Sequence, residues 1–147
     1  MKILIEKYLQ FTLYLQSLNN VVLLIIRLVL AYGFYEPAIN KWNDIKAIAV
    51  WFHDMGLPLP LVQAYAATYT EVLGVILLVV GACTRMISFS LIILLCVAIK
   101  TVHLSNGFAA SENGYEIPLY YIIMLLVLLV NGGGKLSIDN YLKPKLQ

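Results

Sequence analysis

Residues 21–38 read VVLLIIRLVLAYGFYEPA, an apolar run whose interior carries a single charge, Arg27. At 1.5 Å per residue this run makes about 27 Å of helix, close to the ~30 Å hydrocarbon thickness of a bilayer. Pro37 and the polar stretch 40–44 close it. Three more apolar runs follow. Residues 61–82 are entered through the turn Gly56-Leu57-Pro58-Leu59-Pro60 and left at Gly81 and Arg85; 86–103 follow at once; 117–134 carry Pro118 in their first turn. No segment alternates with period two over the length of a strand, so a β-barrel fits poorly. Backbone polar groups in lipid then require helices. The expected fold is an all-α membrane protein, a four-transmembrane-helix bundle forming one domain over residues 1–147. Between spans one and two, Ile45, Ile48, Ala49 and Phe52 recur at helical spacing beside Lys46, His53 and Asp54, which predicts a short interfacial helix. Residues 104–116, rich in Ser, Asn and Gly, read as a loop.

Composition points the same way. The chain has 147 residues, 61% hydrophobic and 12% charged, against roughly 45–50% apolar residues in soluble domains. A chain this short cannot hide that much apolar surface from water. The lipid bilayer is therefore its expected solvent. A net charge of +2 without a basic run excludes nucleic acid as a partner. Cys83 and Cys96 match neither a redox CxxC pair nor a zinc cluster and read as packing residues. Residues 1–20 mix Lys2, Glu6 and Lys7 with Leu4, Leu9 and Phe11, an amphipathic lead-in with no small-x-small cleavage site.

Four spans place both termini on one side. That side carries Lys2, Lys7, Arg85, Lys135, Lys143 and Lys145; the other carries Lys41, Lys46 and Lys100. The positive-inside rule then predicts an inner (plasma) membrane protein with both termini cytoplasmic. Tyr32, Tyr35, Trp42, Trp51, Tyr65, Tyr69, Tyr115, Tyr120 and Tyr121 gather toward the opposite boundary, as an aromatic belt does.

Charges within the spans are the informative residues, because one at the bilayer centre costs about 2.5–3.5 kcal/mol even on the lenient insertion scale. Arg27 and Glu71 stand out, since Glu36 and Lys100 lie near span ends. A mutual ion pair is the economical expectation, read either as a structural clamp or as part of a site. Ala66, Thr70 and Gly74 form a small-residue stripe beside Glu71, on which another helix can approach. Cys96, Lys100 and His103 fall on one helical face. With Glu36, Lys41, His53, Asp54 and Glu116, that face is expected at one outward mouth; Lys100 also reads as a snorkelling lysine and each histidine as a plain hydrogen-bonding one. No close metal-ligand spacing occurs, so a metal on His53, His103 and Glu116 is the weaker alternative. GxSxG, phosphate-loop, GxGxxG and CxxCH motifs are absent, which leaves a cofactor needing only an apolar slot and a few polar groups, as a quinone does.

The landmarks in order are Arg27-Leu28-Val29-Leu30-Ala31 with Phe34, Lys41-Trp42, Trp51-Phe52 with Gly56-Leu57-Pro58, Glu71-Val72-Leu73-Gly74, Gly81-Ala82-Cys83-Thr84-Arg85, His103 with Asn106-Gly107-Phe108, Asn113-Gly114-Tyr115-Glu116 and Gly134-Lys135-Leu136-Ser137-Ile138-Asp139. Their order resembles the DoxX family over nearly the whole chain. The resemblance implies a four-helix inner-membrane protein, related to a small subunit linked to thiosulfate oxidation with quinone as acceptor. It carries over Arg27, Lys41, Glu71, Arg85, His103 and Glu116; nothing in the chain marks a thiosulfate site.

The expected function is a quinone-associated redox subunit or accessory protein. Arg27, Glu71, His103 and Glu116 are its candidate catalytic residues, and Arg27, Glu71, Lys41 and Lys100 the candidate quinone or polar-ligand contacts. A protein partner is expected to supply the electrons or substrate, and small-residue faces offer a surface for a homodimer. The alternative is a non-enzymatic component that carries a small solute or metal, or anchors a biosynthetic or stress-response complex.

Overall fold

Leu23, Arg27, Leu30, Ala31, Phe34 and Ala38 recur every three or four residues, and together they are the buried face of the longest helix. The computed structural model describes residues 2–142, with side chains from Leu4 onward. Its helices are α1 (Lys2–Ser17), α2 (Asn19–Asn43), α3 (Ile45–Asp54), α4 (Pro60–Val80), α5 (Thr84–Ala98), α6 (Glu116–Asn131) and α7 (Ile138–Leu142). A π-helical turn, Ile99–His103, prolongs α5, and short 3₁₀ turns break the loop that follows. Among the described residues there is no strand.

Helices α2, α4, α5 and α6 pack in a ring, α2 on α4, α4 on α5, α5 on α6 and α6 back on α2. Leu30, Phe34, Leu78, Leu91, Leu125 and Leu128 fill its centre. Ile25, Val29, Ile76, Phe89, Ile93, Ile123 and Leu126 face outward, an apolar exterior of the kind only lipid or a partner tolerates. Three helices are long and apolar enough to cross a membrane: Leu4–Asn43, Pro60–Val80 and Thr84–Asn106. Helix α6 is equally apolar but has 16 residues, about 24 Å.

Pro37 does not end the first span as expected: α2 runs through it to Asn43. The proline removes one N–H bond, but packing beyond it, including the Lys41 and Trp42 contacts to α4, holds the last turn helical. Asp44 then stops α2 and starts α3, its carboxylate accepting the Ala47 amide at 2.9 Å. The amphipathic lead-in is helical; the Lys2 side chain, Lys143 and Lys145 of the charge count lie outside the described residues.

Arg27 does not reach Glu71. It is fully buried, donates from Nη1 to the Leu78 carbonyl at 3.2 Å and from Nη2 to the Leu136 carbonyl, and lies near the Asp139 charge. The reason is directional. Every Cα–Cβ bond of a helix tilts toward its N-terminus, so Arg27 on α2 reaches back toward the α2 start. There it meets the C-terminal carbonyls of the antiparallel α4, where a cation is favoured. Gly81 ends α4 at φ +69°, and a Cβ there would fall on the Arg27 guanidinium and on Ser137. The Asp139 carboxylate accepts the Cys83 and Thr84 amides at 2.7 and 2.8 Å, capping α5 from across the chain. Asn20 accepts the Lys135 amide at 2.9 Å. One clamp thus ties both ends of the α4–α5 turn to the start of α2 and to the segment after α6.

Replacing Gly81 by valine should destabilise the protein by more than the ~1–2 kcal/mol that a left-handed backbone costs an L-residue, because the side chain also displaces the guanidinium. Thermal unfolding in detergent reads it out; an unchanged melting temperature would show that the clamp carries no stability.

Candidate functional site

At the opposite end of the ring the partner of Glu71 is Lys41. The Lys41 ammonium lies 3.0 Å from Oε1 and 2.8 Å from Oε2 of Glu71, with the side chains 18% and 4% exposed. The same tilt explains this choice: Lys41 on α2 reaches back toward the helix middle, and Glu71 reaches back toward the start of α4, which in the antiparallel pair lies beside the end of α2, so the two side chains meet. Glu71 shares its buried face with Ala64, Thr68, Gly74 and Leu78. Trp42 packs edge-on against Tyr69, and Tyr69 stacks on Tyr65, on the outer side of the pair.

The expected stripe of small residues divides its work. A Cβ on Gly74 would lie 3.0–3.1 Å from the Leu91 methyls, so the glycine sets the close approach of α4 to α5. Ala66 and Thr70 are not covered by a helix. They line a cavity of about 520 Å³. Its walls come from α4 (Ala67, Thr70, Glu71), α5 and its π-helical turn (Ser90, Val97, Thr101, His103) and the α3 cover (Trp51, Phe52), with Lys41 at one side. From Ser90 to His103 it follows about 20 Å of helix. Ile93 and Val97 are lining residues that are also exposed on the outside, so the cavity opens sideways between α4 and α5.

The hydroxyls of Ser90 and Thr101 are held by the carbonyls of Met86 and Val97, which leaves their oxygens able to accept. His103 donates Nδ1–H to the Asn113 carbonyl at 2.8 Å. That bond fixes the ring and, in the neutral imidazole, leaves Nε2 as an acceptor. The π-helical turn alters the register of this wall: Lys100 and Cys96 are exposed and do not line the cavity, whereas His103 does. Their expected common face assumed α-helical spacing, which a wider i→i+5 turn does not keep.

Of the sequence candidates, Lys41, Glu71 and His103 therefore meet at one cavity. Arg27 belongs to the clamp. Glu116 accepts the Ala110 amide at 2.9 Å and the Tyr120 hydroxyl at 3.2 Å, closing the loop before α6. His53 sits 3.6 Å from Asp54 in an exposed pair. Among the described residues no three His, Cys, Asp or Glu side chains are placed to hold one metal ion. Sequence reasoning missed Thr101; it read Thr70 only as part of a packing stripe and Asn113 and Asp139 only as landmarks, although Asp139 had a signal as an acid closing a glycine-rich segment.

This is a helical protein of membrane type with a charge pair set into an apolar cavity. The DoxX family model matches residues 22–104, and the chain belongs to the DoxX family. It is 36% identical over 129 residues to an uncharacterized protein of Haemophilus influenzae, covering 85% of each chain. A second uncharacterized protein of that organism is 29% identical over 119 residues, 78% of this chain and 86% of its own. No solved structure matches.

A double-mutant cycle tests the pairing. Lys41→Met or Glu71→Leu alone should each cost up to about 3 kcal/mol, with much of the loss recovered in the double variant. Arg27→Met combined with Glu71→Leu should instead be additive to within ~0.5 kcal/mol. Strong coupling between Arg27 and Glu71 would overturn the assignment.

Proposed function

We propose that this chain is a four-span inner-membrane protein, with both termini cytoplasmic, that holds a quinone-class ligand in the cavity between α3, α4 and α5. It serves as a redox subunit or accessory protein of a membrane complex. The observation that carries the reading is the Lys41–Glu71 pair set in the wall of a largely apolar cavity of about 520 Å³, within the usual ligand-pocket range of about 300–1,000 Å³. The half-buried Lys41 ammonium donates to both Glu71 oxygens and has a third N–H to offer a carbonyl oxygen. The sideways opening suits a molecule that arrives from lipid rather than from water.

In this reading α6 completes the fourth span with the glycine-rich segment after it, and α3 lies at the outer interface. A bound quinone supplies two-electron, two-proton chemistry. Lys41 orients the ligand carbonyl, Glu71 holds Lys41 in place and neutral as a pair, and His103 accepts or releases a proton at Nε2 near the outer end of the cavity. Trp51 and Phe52 cover the cavity and limit water. Electrons come from a protein partner. The alternative of a carried metal draws no support from the side-chain placement described above.

Decyl-ubiquinone added to the detergent-solubilised Trp42→Phe variant should quench Trp51 fluorescence saturably, with micromolar midpoint on the order expected for a small buried ligand. Ala67→Phe, which fills the cavity, should abolish the saturable phase. Linear, non-saturating quenching in both proteins would sink the quinone reading.

A further inference from the structure

We propose a second binding site, at the clamp end of the ring, for the phosphate group of an anionic lipid headgroup. A cavity of about 420 Å³ lies between the start of α5, the end of α6 and the glycine segment 132–134. Arg85 and Lys135 supply its positive charge, and neither forms an ion pair among the described residues. Arg85 is anchored through Nη2 to the Val130 carbonyl at 3.0 Å, which leaves the other guanidinium N–H groups to donate.

The carboxylate in this cavity is already engaged. Both oxygens of Asp139 accept backbone amides of α5, at 2.7 and 2.8 Å, and Arg27 stands nearby. The balance facing a ligand is therefore cationic. Asn20 accepts the Lys135 amide through Oδ1, so its NH₂ remains a donor. Gly132 has φ +76°, and a Cβ there would lie 3.6 Å from Arg85 Nε; the bare backbone keeps that side of the guanidinium open. Among the described residues no acceptor is found for the Gly133 and Gly134 amides.

What selects a lipid over a free anion is the surface next to the cavity. Met86 is 73% and Val130 71% exposed. Further exposed apolar residues of the same two helices are Phe89 on α5 and Ile123 and Val127 on α6. A headgroup phosphate on Arg85 and Lys135 lays its acyl chains against this exposed apolar surface, with a charge gain of the kind juxtamembrane cations give at anionic surfaces. This inference needs the bilayer but not the quinone, and it concerns the other end of the molecule.

Native mass spectrometry of protein mixed with equal phosphatidylglycerol and phosphatidylcholine tests it. Wild type should retain phosphatidylglycerol roughly tenfold over phosphatidylcholine, and Arg85→Gln with Lys135→Gln should lose that preference. Lys7→Gln with Lys46→Gln removes the same charge elsewhere and should keep it, with melting temperatures confirming that both variants fold. Equal retention of the two lipids in wild type, or equal loss in both variants, overturns the site. A melting shift with inorganic phosphate alone as large as the lipid's, and lost in the first variant, would place a free anion there and overturn the lipid assignment.

Discussion

A guanidinium with no exposed surface must find acceptors, and Arg27 finds them in the Leu78 and Leu136 carbonyls. Leu78 is in the last turn of α4, where carbonyls lack intrahelical donors. Satisfying them with Arg27 fixes the register of α4 against α2. Leu136 comes from the segment after α6, so the same side chain also draws that segment across the ring. Gly81 and Asp139 complete the arrangement by leaving room for the cation and by capping the next helix.

The upper half of the molecule follows from that register. Once the α4 end is set beside Arg27, the antiparallel run places Glu71 within reach of Lys41. A buried carboxylate left alone would be costly, and one near-complete neutralisation is sufficient to keep it. Gly74 then brings α5 against α4 at Leu91. Beyond that contact the two helices leave space, which α3 covers and the π-helical turn lines.

The two ends differ in chemical character. At one, buried polar groups are paired with backbone and leave little freedom, although the Thr84 hydroxyl and Arg27 Nε lack partners among the described residues. At the other, a cation, a carboxylate, hydroxyls and an imidazole border a cavity that opens sideways. The buried Arg27 clamp and the sideways-opening cavity at Lys41 and Glu71 thus lie at opposite ends of the ring, about 20 Å apart by the helix length from Arg27 to Lys41.

Much of this was legible from residue order. The apolar lengths of 21–38, 61–82 and 86–103 dictated long helices whatever their neighbours, and Asp44, Pro60 and Gly81 marked ends through local backbone chemistry. The same reading named Lys41, Glu71 and His103 as chemically important. It paired Glu71 with Arg27, because spacing alone conveys neither the direction in which a side chain leaves its helix nor the register of two antiparallel helices. Pro37 was misread as a terminus for a related cause: contacts of Lys41 and Trp42 with α4 keep the helix going. Sequence by itself determined that the chain folds into long apolar helices and which charges must be buried; tertiary structure decided which charge meets which, since that depends on the relative height and facing of helices brought together only by folding.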